Sequence, residues 1–76
     1  MKLPIVSGEG IIKILQKEGF SITRQRGSHV SLHKRFEDGS MHLVVVPRKR
    51  EIKKGTLLSI IKQAGMNREE FIGKIE

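Results

Sequence analysis

Between Phe20 and Pro47 the chain carries three short strand-like runs separated by two glycine turns, and this pattern constrains the fold most tightly. From Phe20 to Gln25, Phe20 and Ile22 alternate with Ser21 and Thr23, which predicts a strand with one dry face. Arg26-Gly27-Ser28 makes the first turn. From His29 to His33 the alternation is sharper: Val30 and Leu32 point inward, while His29, Ser31 and His33 point outward. Glu37-Asp38-Gly39-Ser40 reads as a hairpin loop, because Asp-Gly takes the backbone conformations that tight turns require. Met41 to Val46 is the third strand, β-branched and apolar enough to be central or covered on both faces. Pro47 ends it, since proline brings no N–H to a ladder.

Helices flank this meander. The first is predicted from about Ser7 to Glu18, with Ser7 as its cap, Glu9 favouring its positive end and Gly19 closing it. Val6 and Ile11 form a hydrophobic staple; Ile11, Ile12, Ile14 and Leu15 form the buried stripe; Lys13, Gln16 and Lys17 face water. A second helix runs from about Lys54 to Ala64 with Leu57, Leu58, Ile60 and Ile61, and Gly65 stops it. Asn67 with Glu70, and Met66 with Phe71, open a short last helix. The order α-β-β-β-α-α predicts an α+β fold with helices on one face of a three-stranded antiparallel sheet and the other face free. One domain spans residues 1–76.

Charge narrows the partners. Fifteen Lys and Arg against eight Asp and Glu leave a net charge of +7, which attracts nucleic acid or another anionic partner. With no cysteine there are no disulfides or thiolate metal sites, which fits a reducing cytoplasm. Pro4 interrupts the apolar N-terminus before a signal-peptide core forms, and the longest purely apolar run, Leu43 to Val46, is too short to span a bilayer. The expectation is a cytoplasmic protein without a membrane partner. Three scattered histidines without clustered carboxylates make no metal ligand set, and no cofactor is expected.

Gly27-Ser28-His29 is the candidate site. A histidine opening a strand just after a glycine turn, among arginines and lysines, is placed to meet a phosphate backbone. Gly27 supplies a positive φ or a close approach to phosphate. Ser28 serves either the phosphate or the turn itself. His33 shares the face of His29 but lies roughly 13 Å away at ~3.3 Å per residue, too far for a tight catalytic pair. His42, on the neighbouring strand, has no assigned role. Arg24 and Arg26 flank the turn. Arg48, Lys49 and Arg50 follow the third strand, and are placed at the opposite end of the second strand from His29, as a cluster that binds RNA at a distance. Lys53 and Lys54 precede a helix whose dipole their charge opposes, which points to anion binding there. Phe20 and Phe71 read as core, leaving Phe36 as the one aromatic for stacking on a base. Against all this stands a plainer reading, in which His29 is a surface histidine that begins a strand and the loop cations are simply solvated.

Gly19-Phe20, Gly27-Ser28-His29, Pro47, Lys54-Gly55-Thr56-Leu57 and Ile60-Ile61-Lys62-Gln63-Ala64-Gly65 fall in the order and spacing of HicA-type toxins. The resemblance runs from Ser7 to about Phe71. It implies a double-stranded-RNA-binding-domain-like fold, ribosome-independent cleavage of mRNA that inhibits translation and growth, and a HicB-like antitoxin covering the active site. It also implies that His29 is the catalytic histidine. Two positions depart from the common pattern: Val30 stands where many members have a second histidine, and Lys49 where many have a histidine two residues after the proline.

RNA carries its own nucleophile, the 2′-OH, so cutting it needs a proton acceptor, a proton donor and positive charge around the phosphorane. The expected activity is a metal-independent endoribonuclease with His29 as general acid or base. Arg24, Arg26, Gly27, Ser28, Arg48, Lys49 and Lys54 would hold the RNA. The alternatives are a non-catalytic double-stranded RNA-binding module, and an interaction protein whose basic face meets an acidic partner.

Overall fold

A computed structural model describes residues 4–75; Met1 to Leu3, in the apolar N-terminal stretch, and Glu76 lie outside the described residues. The elements are α1 (Gly8–Lys17), β1 (Ser21–Arg26), β2 (His29–Arg35), β3 (Met41–Pro47), α2 (Lys54–Gln63) and α3 (Arg68–Ile72). The expected order and the open three-stranded antiparallel sheet are both present, in the α+β arrangement of a double-stranded-RNA-binding domain.

Local chemistry sets the helix ends. The Ser7 hydroxyl accepts the Gly10 N–H at 3.0 Å, so α1 begins one residue later. Gly19, at φ +100°, carries the chain out of α1 in a conformation that side chains avoid. Asn67 Oδ1 accepts the Glu70 N–H at 2.6 Å and starts α3. Ile11, Ile12, Ile14 and Leu15 of α1 and Leu57, Ile60 and Ile61 of α2 pack with Val30, Leu32, Val44 and Val46 of the sheet. Phe71 brings α3 into the same core. Among the described residues no helix is long and apolar enough to cross a membrane.

Two strands differ from expectation. β1 is exposed at every position, and its dry face shrinks to Phe20, which lies just before the strand and is buried. Ile22 stays 42 % exposed. The reason is coverage: β1 is an outer strand that α1 covers only slightly, and a bulge between Ile22 and Arg24 breaks its alternation. β3 is neither central nor covered on both faces. The sheet order is β1-β2-β3, so the central strand is β2. On β3, Val44 and Val46 are buried whereas Met41, Leu43 and Val45 face outward and are exposed.

β3 includes Pro47 because that residue sits on the free edge of the sheet, where no ladder bond needs its missing N–H. The Val45 N–H is directed to the same edge and donates to Gln63 Oε1 at 3.4 Å. α2 therefore runs back along β3 with its C-terminal end beside Val45 and His42, where Nδ1 of His42 lies 3.2 Å from the Gln63 carbonyl. Its N-terminus, at Lys53 and Lys54, points to the end of the sheet where β3 finishes.

Phe36 is not free to stack on a base. Its ring lies 4.3 Å from the His42 ring and 6.5 Å, edge-on, from Phe20. Lys34 Nζ stands 4.8 Å from its centroid while donating to the Glu18 carbonyl at 2.6 Å. This cluster closes the core at the end of the sheet away from the Gly27-Ser28 turn. Beyond it, the Asp38 carboxylate accepts from the Ser40 hydroxyl and N–H, which hold its pKa below the ordinary value and fix the β2–β3 loop.

Candidate nucleic-acid interface

Arg26 and His29 are cross-strand partners, so Gly27 and Ser28 alone form the β1–β2 turn. Gly27 has φ +58°, and a Cβ there would meet open space, so the turn itself and not a close neighbour requires glycine. The same register sets His29 on the outward side of β2, exposed, with no hydrogen bond to its ring among the described residues. Ser28 is exposed beside it, and its carbonyl accepts the Arg48 N–H at 2.6 Å.

That bond corrects the placement of the 48–50 cluster. His29 pairs with Pro47, so Arg48, Lys49 and Arg50 emerge beside the Gly27-Ser28 turn and not at the far end of β2. The strands on both sides of β2 run antiparallel to it. The end of β1, the start of β2 and the end of β3 therefore share one end of the sheet. Arg26, Ser28, His29, Arg48 and Lys49 form one corner, with Arg24 one row further along the face. Lys54 lies at the exposed N-terminus of α2, which faces the same end, and Lys53 caps that helix without a side-chain hydrogen bond. The expected anion site there has open N–H groups and no acidic residue in the first turn.

Two residues at this corner are invisible in the sequence pattern. Gly8 N–H donates to the Lys49 carbonyl at 2.8 Å, and a Cβ on Gly8 would lie 2.0 Å from the Pro47 carbonyl oxygen. Glycine there lets the start of α1 press against the chain leaving β3. Ile52 N–H donates to the Val6 carbonyl at 2.9 Å and completes the tie. Glu9, next in sequence, pairs with Arg48 at 3.1 Å. One of the expected RNA contacts is therefore already shared with a carboxylate, in a partly exposed pair of modest strength. Nothing local in the sequence announces either contact, because both join residues about forty positions apart.

Across the outward face the side chains sort into three columns. β1 supplies Arg24 and Arg26, β2 supplies His29, Ser31 and His33, and β3 supplies Met41, Leu43, Val45 and Pro47. His33 Nδ1 is hydrogen-bonded to the Thr23 hydroxyl, two rows away from His29. His33 is thus held as a surface residue apart from the corner. His42 lies on the opposite, inner side, against Phe36 and the backbone of Gly65, and has a packing role. Of the two departures from the HicA pattern, Val30 is fully buried under the helices, while Lys49 is exposed at the corner. Among the described residues no group of three or more His, Cys, Asp and Glu side chains could hold a metal ion.

The family model for the HicA toxin of bacterial toxin–antitoxin systems matches residues 8–66, from the first residue of α1 to just past α2. The chain belongs to the HicA toxin family. The match includes every residue of the corner and stops short of α3. Membership in a toxin–antitoxin family makes the chain the toxin member and implies an antitoxin partner. Comparison with curated proteins finds no match.

Proposed function

We propose that this HicA-family chain is a metal-independent endoribonuclease of the cytoplasm that binds and cleaves mRNA, inhibiting translation and growth until a HicB-like antitoxin covers the site. The observation that carries the proposal is the ladder register, which brings His29 to the same corner as Arg26, the Gly27-Ser28 turn and the Arg48-Lys49 segment.

The chemistry follows from that grouping. The RNA 2′-oxygen attacks the adjacent phosphorus, losing its proton to a base, and the 5′-oxygen leaves with a proton from an acid. His29, exposed and free of other hydrogen bonds among the described residues, performs one of these two transfers. Arg24, Arg26, Arg48 and Lys49 and the amides of the turn offset the growing negative charge on phosphorus. Lys54 binds RNA further along the same end.

The decisive variant is His29→Ala. His29 is exposed and its side chain supports no packing, so the fold should persist, while cleavage falls by about 10²–10⁴-fold and growth inhibition disappears. EDTA should leave the wild-type rate unchanged. Undiminished cleavage by the variant, or a metal requirement, would sink the mechanism. A non-catalytic RNA-binding module is favoured by one observation: the His29 ring has no second proton-transfer group bonded to it among the described residues. Intact RNA after prolonged incubation with the wild-type protein would select that reading.

A further inference from the structure

We infer that Thr23, Arg24, Ser31 and His33 form a second phosphate subsite, which holds the RNA strand beyond the bond cleaved at His29. The bulge in β1 serves no purpose in the core, since every residue of that strand is exposed. Its effect is on the outward face. In a regular strand Thr23 and Arg24 would point to opposite sides of the sheet. Here Arg24 pairs with outward-facing Ser31, while Thr23, the extra residue, reaches outward-facing His33. Bulges re-aim side chains in this way, often beside functional sites.

Thr23 fixes the His33 ring. A hydroxyl that donates to Nδ1 leaves the proton on Nε2, across the ring, where it has no partner among the described residues. His33 is therefore an oriented N–H donor. One row nearer to His29 stand the Ser31 hydroxyl and Arg24, which is in no ion pair among the described residues. None of the three strands contains an acidic residue. Two neutral donors and a guanidinium on a face without carboxylates suit a phosphate. On the β3 side, Leu43 and Val45 lie across from His33 and Ser31 and offer a phosphate nothing, so the strand runs over β1 and β2. Ser31 and His33 lie roughly 6.6 and 13 Å from His29 along β2, at ~3.3 Å per residue. That is too far for a shared proton transfer, but it suits successive phosphates of one extended strand. The subsite rests on the reading of the His29 corner as an RNA site.

The test follows cleavage of single-stranded RNAs lengthened one nucleotide at a time. For the wild type, KM should drop about tenfold once the strand reaches from His29 to His33, the effect of one hydrogen bond to a charged group. The change should fall on KM and leave kcat in place, as for binding shared by ground and transition states. His33→Ala should erase the drop. Thr23→Val, which keeps the branched shape and loses the hydroxyl, should erase most of it, and Thr23→Ser should restore it. A pair that merely ties β1 to β2 would instead lower the melting temperature and leave the KM step intact. That outcome overturns the inference, as does a wild-type KM without a step. If the wild type cuts no RNA, titration with the same series reads the step as affinity. A step that His33→Ala removes then keeps the subsite while the ribonuclease reading falls; an affinity without a step overturns the subsite.

Discussion

His29 faces Pro47 across the β2–β3 ladder, and the next residue along, Arg48, donates its N–H to the carbonyl of Ser28. This pairing fastens the basic segment after β3 to the glycine turn before β2. The position of Arg48 and Lys49 relative to His29 is thus set by backbone hydrogen bonds, not by mobile side chains. Whatever displaces Pro47 displaces the corner.

Gly8→Ala should do so. The added Cβ would lie 2.0 Å from the Pro47 carbonyl oxygen, which is backbone and cannot swing aside. Overpacking of this kind costs about 1–3 kcal/mol, and each kcal/mol lowers the melting temperature by roughly 4–8 °C in a domain of this size. RNA affinity should fall as well, because α1 and the 47–49 segment can separate only by loosening the corner. Gly55→Ala is the matched control: nothing lies within 4 Å of its Cβ, and it should gain roughly 0.5 kcal/mol of helix stability. Thermal melts and RNA titrations of both variants check the pair. Equal stability of the two would contradict the close approach at Gly8.

Arg48 and Glu9 make opposite predictions. Arg48→Gln should weaken RNA binding and reduce the slope of log affinity against log salt by about 0.7, the effect of one phosphate contact on a single strand. Glu9→Gln frees the guanidinium from its 3.1 Å carboxylate partner and should strengthen RNA binding a few-fold. Its cost in stability should stay within about 1 kcal/mol, as for other exposed pairs. Titrations at several salt concentrations distinguish the two; an unchanged slope in Arg48→Gln would remove this residue from the interface.

How far the sequence revealed this arrangement depended on distance along the chain. Ser7, Gly19, Gly39, Gly65 and Asn67 act on their immediate neighbours, and each was legible from residue type and spacing. The edge position of β3 is not legible locally, because an apolar run looks the same whether its second face is buried in the fold or open on an edge strand. The 48–50 cluster lies beside the Gly27-Ser28 turn because antiparallel geometry pairs the start of β2 with the end of β3, a long-range register that no local residue pattern signals. Glu9 reads only as a first-turn acid and Gly8 carries no sequence signal, since their partners lie in a loop about forty residues away.

Phe36 separates packing from stacking. Its half-buried ring lies against His42 and Phe20 and under Lys34, so Phe36→Ala should cost about 2–3 kcal/mol of stability. RNA affinity of the folded variant should stay within twofold of wild type. A base stacked on this ring would instead contribute about 1–3 kcal/mol to binding, and its loss would be plain in a titration. Denaturant unfolding alongside RNA binding at a temperature where both proteins are folded gives the two numbers.

Lys49→His converts the corner to the residue common among HicA toxins and makes a pH-dependent prediction. Lys49 is exposed, on the segment that Arg48 ties to Ser28, and brings a positive charge to the corner. An exposed histidine in its place is cationic below a pKa of about 6.5 and neutral above it. At pH 5.5 the variant should bind RNA nearly as well as wild type; at pH 7.5 it should bind more weakly and show a salt slope smaller by about 0.7. Every other residue is common to the two proteins, so the ratio of the two affinities isolates position 49. A ratio that does not change between pH 5.5 and 7.5 would mean that Lys49 does not contact RNA, and that its exposure at the corner is solvation alone.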